Sequence, residues 1–495
     1  MAAKTTADRV PGRSGGYSAR MKSKRMLAAF AVFAVLGAAL LSALTVLIDP
    51  LQFYHQAIGY TPVLYHEERY QNPGLAKNYT YDTIIIGTSM TENFLPSEVG
   101  RELKGKALKL SLEGSTADEH HKMASLALQT GQVQKVLWGL DYFSLKQNTE
   151  ESASLFPGYM YDNHLWNDYP YWFSYSAYQQ FITSMKANLK GTASDDLEYQ
   201  NNWGRRAEFD RQLVVQAYKD AQSEEVYFGL GEDSVEEIKQ SFNTHVLSLV
   251  ADNPDVDFYF FYPPYSVLRQ VAWLNLNPGR FQNQLLMRKW IFEQFSKLPN
   301  VKLYDFQSER QWTYDLDQYK DLSHHSPQIN SLIAQSIGSN DARYLVTADN
   351  VEKLNRQLEA DSNEAVLLGN GLVRNIEVKI GGKQAAFSQR SWSGGETGDM
   401  LIPAKEAAAA LGAAIAWDQT TKSMVLSRQK HRLKAAVGSV KATADGADAT
   451  LTAAPQIING TAMVPIRSIA RHLGWTDQIN QPSSWTIAIE LDEKK

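Results

Sequence analysis

Two short stretches, more than 200 residues apart, carry the residue types that acyl-transfer chemistry needs. The first is Gly87-Thr88-Ser89-Met90, directly after the apolar run Thr83–Ile86. A glycine there permits a tight turn. A hydroxyl two positions later can then stand at the start of the next helix, where backbone N–H groups can stabilise an oxyanion. Ser89 is the candidate nucleophile, although Gly-Thr-Ser also fits a plain helix N-cap. The second stretch is Asp321-Leu322-Ser323-His324-His325. A serine needs a base, and the base needs an acid that fixes its tautomer. Asp321 and His324 can meet on one turn, leaving the other ring nitrogen for Ser89. His325 also lies within reach of Asp321, and a lone Asp-x-x-His also fits a solvated loop.

These residues must be positioned by a larger framework. Asp82–Ile86, Ala107–Leu112, Lys135–Leu140, Val256–Phe261 and Val301–Asp305 are short, apolar nearly throughout and bounded by turn residues. That pattern predicts strands of a sheet covered on both faces. Polar helical patterns such as Thr116–Thr130 and Glu236–Asp252 lie between them, an α/β alternation. Ligands bind at the C-terminal strand ends of a parallel sheet, where Ser89 would sit. Tyr262 and Tyr265 of Tyr262-Pro263-Pro264-Tyr265 follow another strand at the same edge and are candidates to wall the site. Residues 350–362 read as a final amphipathic helix, and the polar stretch Asp361–Asn375 as a linker.

The chain has 495 residues and a formal charge of −5. Residues 1–25 hold seven basic residues and one acidic, so the remainder sums to −11. A body that acidic is a poor nucleic-acid binder. The absence of cysteine excludes disulfides, thiolate metal sites and a cysteine nucleophile within this sequence. Met26–Ile48 is 23 residues without a charge, long enough as a helix to cross a hydrocarbon core of about 30 Å. Basic residues precede it and none follows before Arg69. The positive-inside rule then predicts a single-pass anchor with a cytoplasmic N-terminus and an extracellular body. A cleaved signal peptide would have a shorter apolar region and a small-x-small site.

Residues 376–495 contain an internal repeat. Leu401-Ile402-Pro403, a helix to Leu411-Gly412 and the strand Ser423–Leu426 recur 62 residues later as Met463-Val464-Pro465, Leu473-Gly474 and Trp485–Ile489. This pattern resembles the copper amine oxidase N-terminal-like domain, which occurs as stalks on secreted proteins of Gram-positive bacteria. The resemblance implies a small α+β two-repeat domain and no copper chemistry. His431 and His472 offer no metal-site spacing, and no metal or cofactor is expected.

The blocks around Ser89 and His324 resemble the SGNH/GDSL hydrolase superfamily. Gly87-Thr88-Ser89 matches its first block, with Thr in place of Asp, and Asp321-Leu322-Ser323-His324 its last. Leu112-Glu113-Gly114 fits the second, whose glycine N–H contributes to the oxyanion hole. The third normally supplies Asn, but Gly139-Leu140-Asp141-Tyr142 places Asp141 there. An ionised carboxylate would repel an oxyanion, so Asp141 is either a protonated donor or structural; Asn93 is a further amide candidate. The resemblance implies a flavodoxin-like three-layer fold over 81–362. It also implies a catalytic set of Ser89, His324 and Asp321, with oxyanion N–H groups from Ser89 and Gly114. The anchor and the closing Tyr319-Lys320-Asp321-x-x-His324 segment narrow it toward DltD/AlgX-like proteins. Those act beside multi-pass membrane O-acyltransferases on cell-surface polymers.

The expected organisation is a basic tail (1–25), an anchor (26–48), a connecting segment (49–80), the α/β domain (81–362), a linker (363–375) and the repeat domain (376–495). Residues Phe156–Phe181 hold eleven aromatics in 26. Trp166 and Trp172 there could stack on sugar rings, or pack a local core. Glu119-His120-His121 reads as a solvated helix face and Glu67-Glu68-Arg69 as a surface charge cluster. The expected activity is an acyltransferase or esterase on a surface polysaccharide or teichoic-acid-like polymer. The rival is a degenerate scaffold or glycan-binding protein held in the wall by the repeat domain.

Overall fold

In the computed structural model, which describes residues 15–147, 156–194, 196–221, 231–394, 398–458 and 460–494, side chains are placed from residue 24 onward. The apolar runs become β1 (Thr83–Ile86), β2 (Ala107–Lys109), β3 (Lys135–Gly139), β4 (Asp257–Tyr262) and β5 (Val301–Asp305). They form one sheet in the order β2-β1-β3-β4-β5, and every neighbouring pair is parallel. β1 therefore lies between strands that follow it in opposite directions across the sheet. Such a switch point opens a crevice at the C-terminal strand ends.

Successive side chains of a strand point to opposite faces, and both faces here are covered. Ile85, Leu137 and Phe261 pack with Phe94, Val99, Ile329 and Ile333 on one face. On the other, Phe260 stacks between Trp138, 5.3 Å away, and Phe295 of helix Pro278–Phe295, 4.4 Å away. Each such fully buried aromatic contributes roughly 1.5–3 kcal/mol. Past the end of β2 the chain stays beside β1: the N–H groups of Leu110 and Leu112 bond the carbonyls of Ile85 and Gly87, each at 2.9 Å.

The chain forms two compact units, one of residues 1–79 and 156–196 and the other of 80–155 and 197–495. In the first, Gly15–Ile48 is a helix. Its stretch Lys24–Ile48 contains 18 successive residues of mean hydropathy 2.6 and is long and apolar enough to cross a membrane or serve as a signal anchor. The basic tail up to residue 14 lies outside the described residues. Pro50 cannot continue the helix, and Asp49 turns the chain with φ +42°. The Asp49 carboxylate accepts the N–H groups of Phe53, Tyr54 and His55 and the Tyr171 hydroxyl, at 2.6–2.9 Å. Around it Leu51, Phe53, Met160, Tyr171 and Ala177 form a buried cluster against which Trp172 packs. Glu68, expected on the surface, is only 7% exposed, because its helix, Glu68–Asn78, buries most of its length in this unit.

In the second unit the 62-residue repeat is visible as structure. Strand Asp399–Pro403 pairs antiparallel with Thr461–Pro465, and Ile402 stands opposite Val464, its own repeat mate. Each strand leads into a seven-residue helix, Ala404–Ala410 or Ile466–His472. Each helix is stopped by a glycine in the left-handed region, Gly412 at φ +66° and Gly474 at φ +87°. The expected linker 363–375 is instead largely sheet. Ala365–Leu367 and Val373–Ile380 form an antiparallel pair, and the second strand also pairs in parallel with Thr486–Glu493. Val373 is buried with Tyr314, Tyr319 and Leu322 of the α/β domain, with Trp485 packed alongside. The Gly-Asn-Gly run that reads as a linker is the turn of this hairpin.

Candidate active site

The site begins with the strain that glycine relieves at the end of β1. Gly87 has φ +148°, and a Cβ there would lie 2.6 Å from Thr91 Cγ2 and 3.2 Å from the Gly139 carbonyl. Only glycine lets the chain turn this tightly against β3. The turn continues as a short 3₁₀ segment, Ser89–Thr91. Three successive carbonyls of it each take a side-chain donor. Thr91 Oγ1 donates to Thr88 O at 2.8 Å, Trp203 Nε1 to Ser89 O at 3.0 Å, and Asn330 Nδ2 to Met90 O at 3.0 Å. The turn bearing Ser89 is thus held by Trp203 and Asn330 from elsewhere in the chain and by its own Thr91.

Ser89 Oγ lies 2.8 Å from His324 Nε2. On the far side of the ring, His324 Nδ1 is 2.8 and 3.0 Å from the two Asp321 oxygens. Asp321 also accepts the N–H groups of Ser323 and His324, at 2.8 and 2.9 Å. Burial pushes the Asp321 carboxyl up, but the His324 hydrogen bond and charge and these two N–H groups outweigh it and bring it down to about 2. An ionised carboxylate only accepts, so Nδ1 is the ring nitrogen that donates to Asp321, and Nε2 is the one that faces the Ser89 hydroxyl. The structure brings these three residues into one relay and keeps His325 out of it. His325 is 1% exposed, and burial lowers its pKa to about 4.

The loop that carries His324 is pinned to the segment after β4. Tyr319 OH donates to Pro264 O at 3.0 Å, and Ser266 donates twice to Leu322 O, from N at 3.2 Å and from Oγ at 2.7 Å. Between those anchors, Tyr265 donates to Asp141, whose other oxygen accepts from Thr88. Pro264–Ser266 therefore ties the His324 loop and the Ser89 turn to one point. Asp141 is fully buried, with both oxygens accepting hydroxyl protons. Burial dominates its pKa, raising it to about 6 against the opposing pull of Thr88, Tyr265 and His324.

The other expected residues are placed as follows. Leu112, bonded to Gly87, sets Gly114 in a turn at the same strand ends as Ser89, exposed and with φ +60°. Asn93 is buried, its Oδ1 accepting from the Gly204 N–H at 2.9 Å, while Nδ2 has no partner among the described residues. Tyr262 is not a wall: it is buried with the Arg288 guanidinium 4.7 Å from its ring. Tyr265 is also buried and acts beneath the site. Trp172 donates to Tyr54 OH at 2.8 Å inside the first unit's own core, whereas Trp166 of that unit is exposed. His120, expected on a solvated face, is buried. It accepts from Trp138 Nε1 at 3.3 Å, and its Nε2 lies 2.6 Å from Ser115 Oγ.

Trp203, which the sequence reading did not single out, packs against His324 and bonds the Ser89 carbonyl. Its ring is perpendicular to that of His324, with centroids 5.3 Å apart. The Lys320 ammonium lies 4.1 Å from its ring centroid. Asn202-Trp203-Gly204, a turn-forming run bearing one large aromatic, is the mark that could have drawn notice to it.

The chain matches no curated protein. Among solved structures it is similar to a Streptococcus pneumonia protein described as "a putative platelet activating factor", at 13% identity. That likeness covers 56% of this chain and 91% of the other, with a TM-score of 0.29. The model of the Copper amine oxidase N-terminal domain family matches residues 379–488, the two-repeat region.

Proposed function

We propose that this protein is a membrane-anchored serine acyltransferase or esterase of SGNH-like, flavodoxin-like architecture, acting outside the cell on a surface polysaccharide or teichoic-acid-like polymer. The observation that carries the reading is the Ser89–His324–Asp321 relay, with both hydrogen bonds at 2.8 Å. The sheet order with its switch point at β1 supports the architecture. Ser89 Oγ attacks the acyl carbonyl while His324 Nε2 takes its proton. The oxyanion is held by the N–H groups of Ser89 and Gly114. Collapse breaks the bond to the leaving group, which takes the proton from His324 and leaves an acyl-serine. A sugar hydroxyl or water then attacks, with His324 again as base, and Ser89 is regenerated. The partners of this reading are the membrane, a cell-surface glycan and a multi-pass membrane O-acyltransferase; nucleic acid is not among them. A fluorophosphonate probe should label the purified protein, and Ser89→Ala and His324→Ala should each abolish labelling. Unlabelled wild-type protein across the pH range would sink the reading.

Asp141 favours one alternative, because it removes the side-chain donor that the third block normally supplies. In that reading the domain is a catalytically degenerate scaffold that presents a glycan or holds a partner. A Ser89→Ala strain would then keep its polymer modification, which the enzymatic reading excludes.

A further inference from the structure

We infer that the aromatic segment 165–182 is a second membrane contact, a belt that dips into the outer lipid interface beside the N-terminal helix. The inference rests on reading that helix as a membrane span. A hydrocarbon core of about 30 Å takes roughly 20 helical residues. The uncharged stretch Met26–Ile48 has 23, so with the basic residues before it at the inner surface its last turn reaches the outer headgroup region. The segment grips this part of the helix. Thr45 Oγ1 donates to Trp172 O at 2.8 Å and lies 2.5 Å from Tyr178 OH, which itself donates to Leu41 O at 3.1 Å. Leu41 is seven residues before Ile48, roughly 10 Å back along the axis. The segment therefore reaches down alongside the helix rather than capping its end.

Its outward side chains have the chemistry of that depth. Trp166 is 76% and Tyr175 75% exposed, and Leu165, Tyr169 and Phe173 are also exposed. Trp and Tyr concentrate at membrane interfaces because an apolar ring carries a polar tip. An apolar cavity of about 500 Å³ opens between the helix and Trp172, lined by Ser42, Ala43, Val46, Leu47 and His55. Continuity of this exposed face and cavity with the apolar helix argues for lipid, acyl chain and headgroup together, as the occupant.

The sequence contains no cysteine, so a single introduced cysteine carries a unique fluorophore. The full chain bearing Trp166→Cys, Tyr175→Cys or, as reference, Leu36→Cys would be labelled and reconstituted in phosphatidylcholine–phosphatidylglycerol vesicles. Labels at 166 and 175 should shift to the blue on reconstitution, be quenched by a nitroxide high on the acyl chain, and resist aqueous iodide. The label at 36 should respond to a nitroxide deep in the bilayer. If 36 responds and 166 and 175 stay open to iodide, the inference fails while the span stands. If 166 and 175 are shielded from iodide but untouched by lipid nitroxide, protein covers them, and the inference again fails. If 36 is also unquenched, the membrane span itself is wrong.

Discussion

Trp203 stands perpendicular to His324 at 5.3 Å and donates its indole N–H to the carbonyl of Ser89. One side chain therefore touches both the His324 ring and the backbone of Ser89. It fixes the distance between two residues that are 235 positions apart in sequence.

Replacing Trp203 by Phe keeps an apolar ring against His324 but removes the hydrogen bond to Ser89 O. A hydrogen bond of this kind is worth about 1 kcal/mol. The fluorophosphonate labelling rate should fall by roughly fivefold. An unchanged rate would mean that the turn holds Ser89 without the indole.

The two adjacent histidines should separate cleanly. His324→Ala removes the base and should abolish labelling. His325 is neutral and buried beside Tyr319, so His325→Leu should keep labelling and alter stability instead. Loss of labelling in His325→Leu, in protein with an unchanged melting curve, would put the base at the wrong residue.

Asp321 links the relay to acid stability. Its folded pKa, about 2, lies below the ordinary 3.8. Its stabilisation is therefore present above pH 3.8 and is lost as pH falls toward about 2. The shift corresponds to roughly 2 kcal/mol. The stability difference between wild type and Asp321→Asn, read from denaturant midpoints, should shrink across that window. Activity should fall far more, by about 10⁴-fold where the acid fixes the tautomer.

Asp141 should behave in the opposite sense. Its folded pKa is raised from 3.8 to about 6, so the folded state holds its proton more tightly than the unfolded chain. That contribution is fully present below pH 3.8 and is lost as pH rises through about 6, a change of roughly 3 kcal/mol. Asp141→Asn cannot ionise and should flatten the decline. Parallel pH–stability curves for the two proteins would show that the carboxyl is not strained by its burial.

The five strands were legible because each is a short apolar run that no exposed element could carry, and Ser89 was legible as the hydroxyl just past the first of them. Spacing offered Asp321 with either His324 or His325, and only the folded loop, which buries His325, separates the two. The repeat was legible from its 62-residue period, whereas the pairing of its two units through Ile402 and Val464 is seen only in the fold. Tyr262 was misread because proximity to the sheet edge does not give side-chain direction, and its ring turns inward to Arg288. The hairpin Ala365–Ile380 was missed because its turn, Gly369-Asn370-Gly371, has the composition of a flexible joint. Trp203 was invisible because its role exists only after the chain from Asn202 to Gly204 is laid across the nucleophile turn. Burial of Glu68 and His120 is likewise a product of tertiary packing, which local polarity does not report.

The pairing of Ile402 with Val464 has one more consequence. Two copies of one unit meet edge to edge, antiparallel, through the same strand: an isologous contact of the kind that joins homodimers, here enclosed within a single chain. A lone half-domain would carry a bare strand edge open to any other half. Covalent fusion satisfies that edge from within, so assembly of the pair no longer depends on concentration.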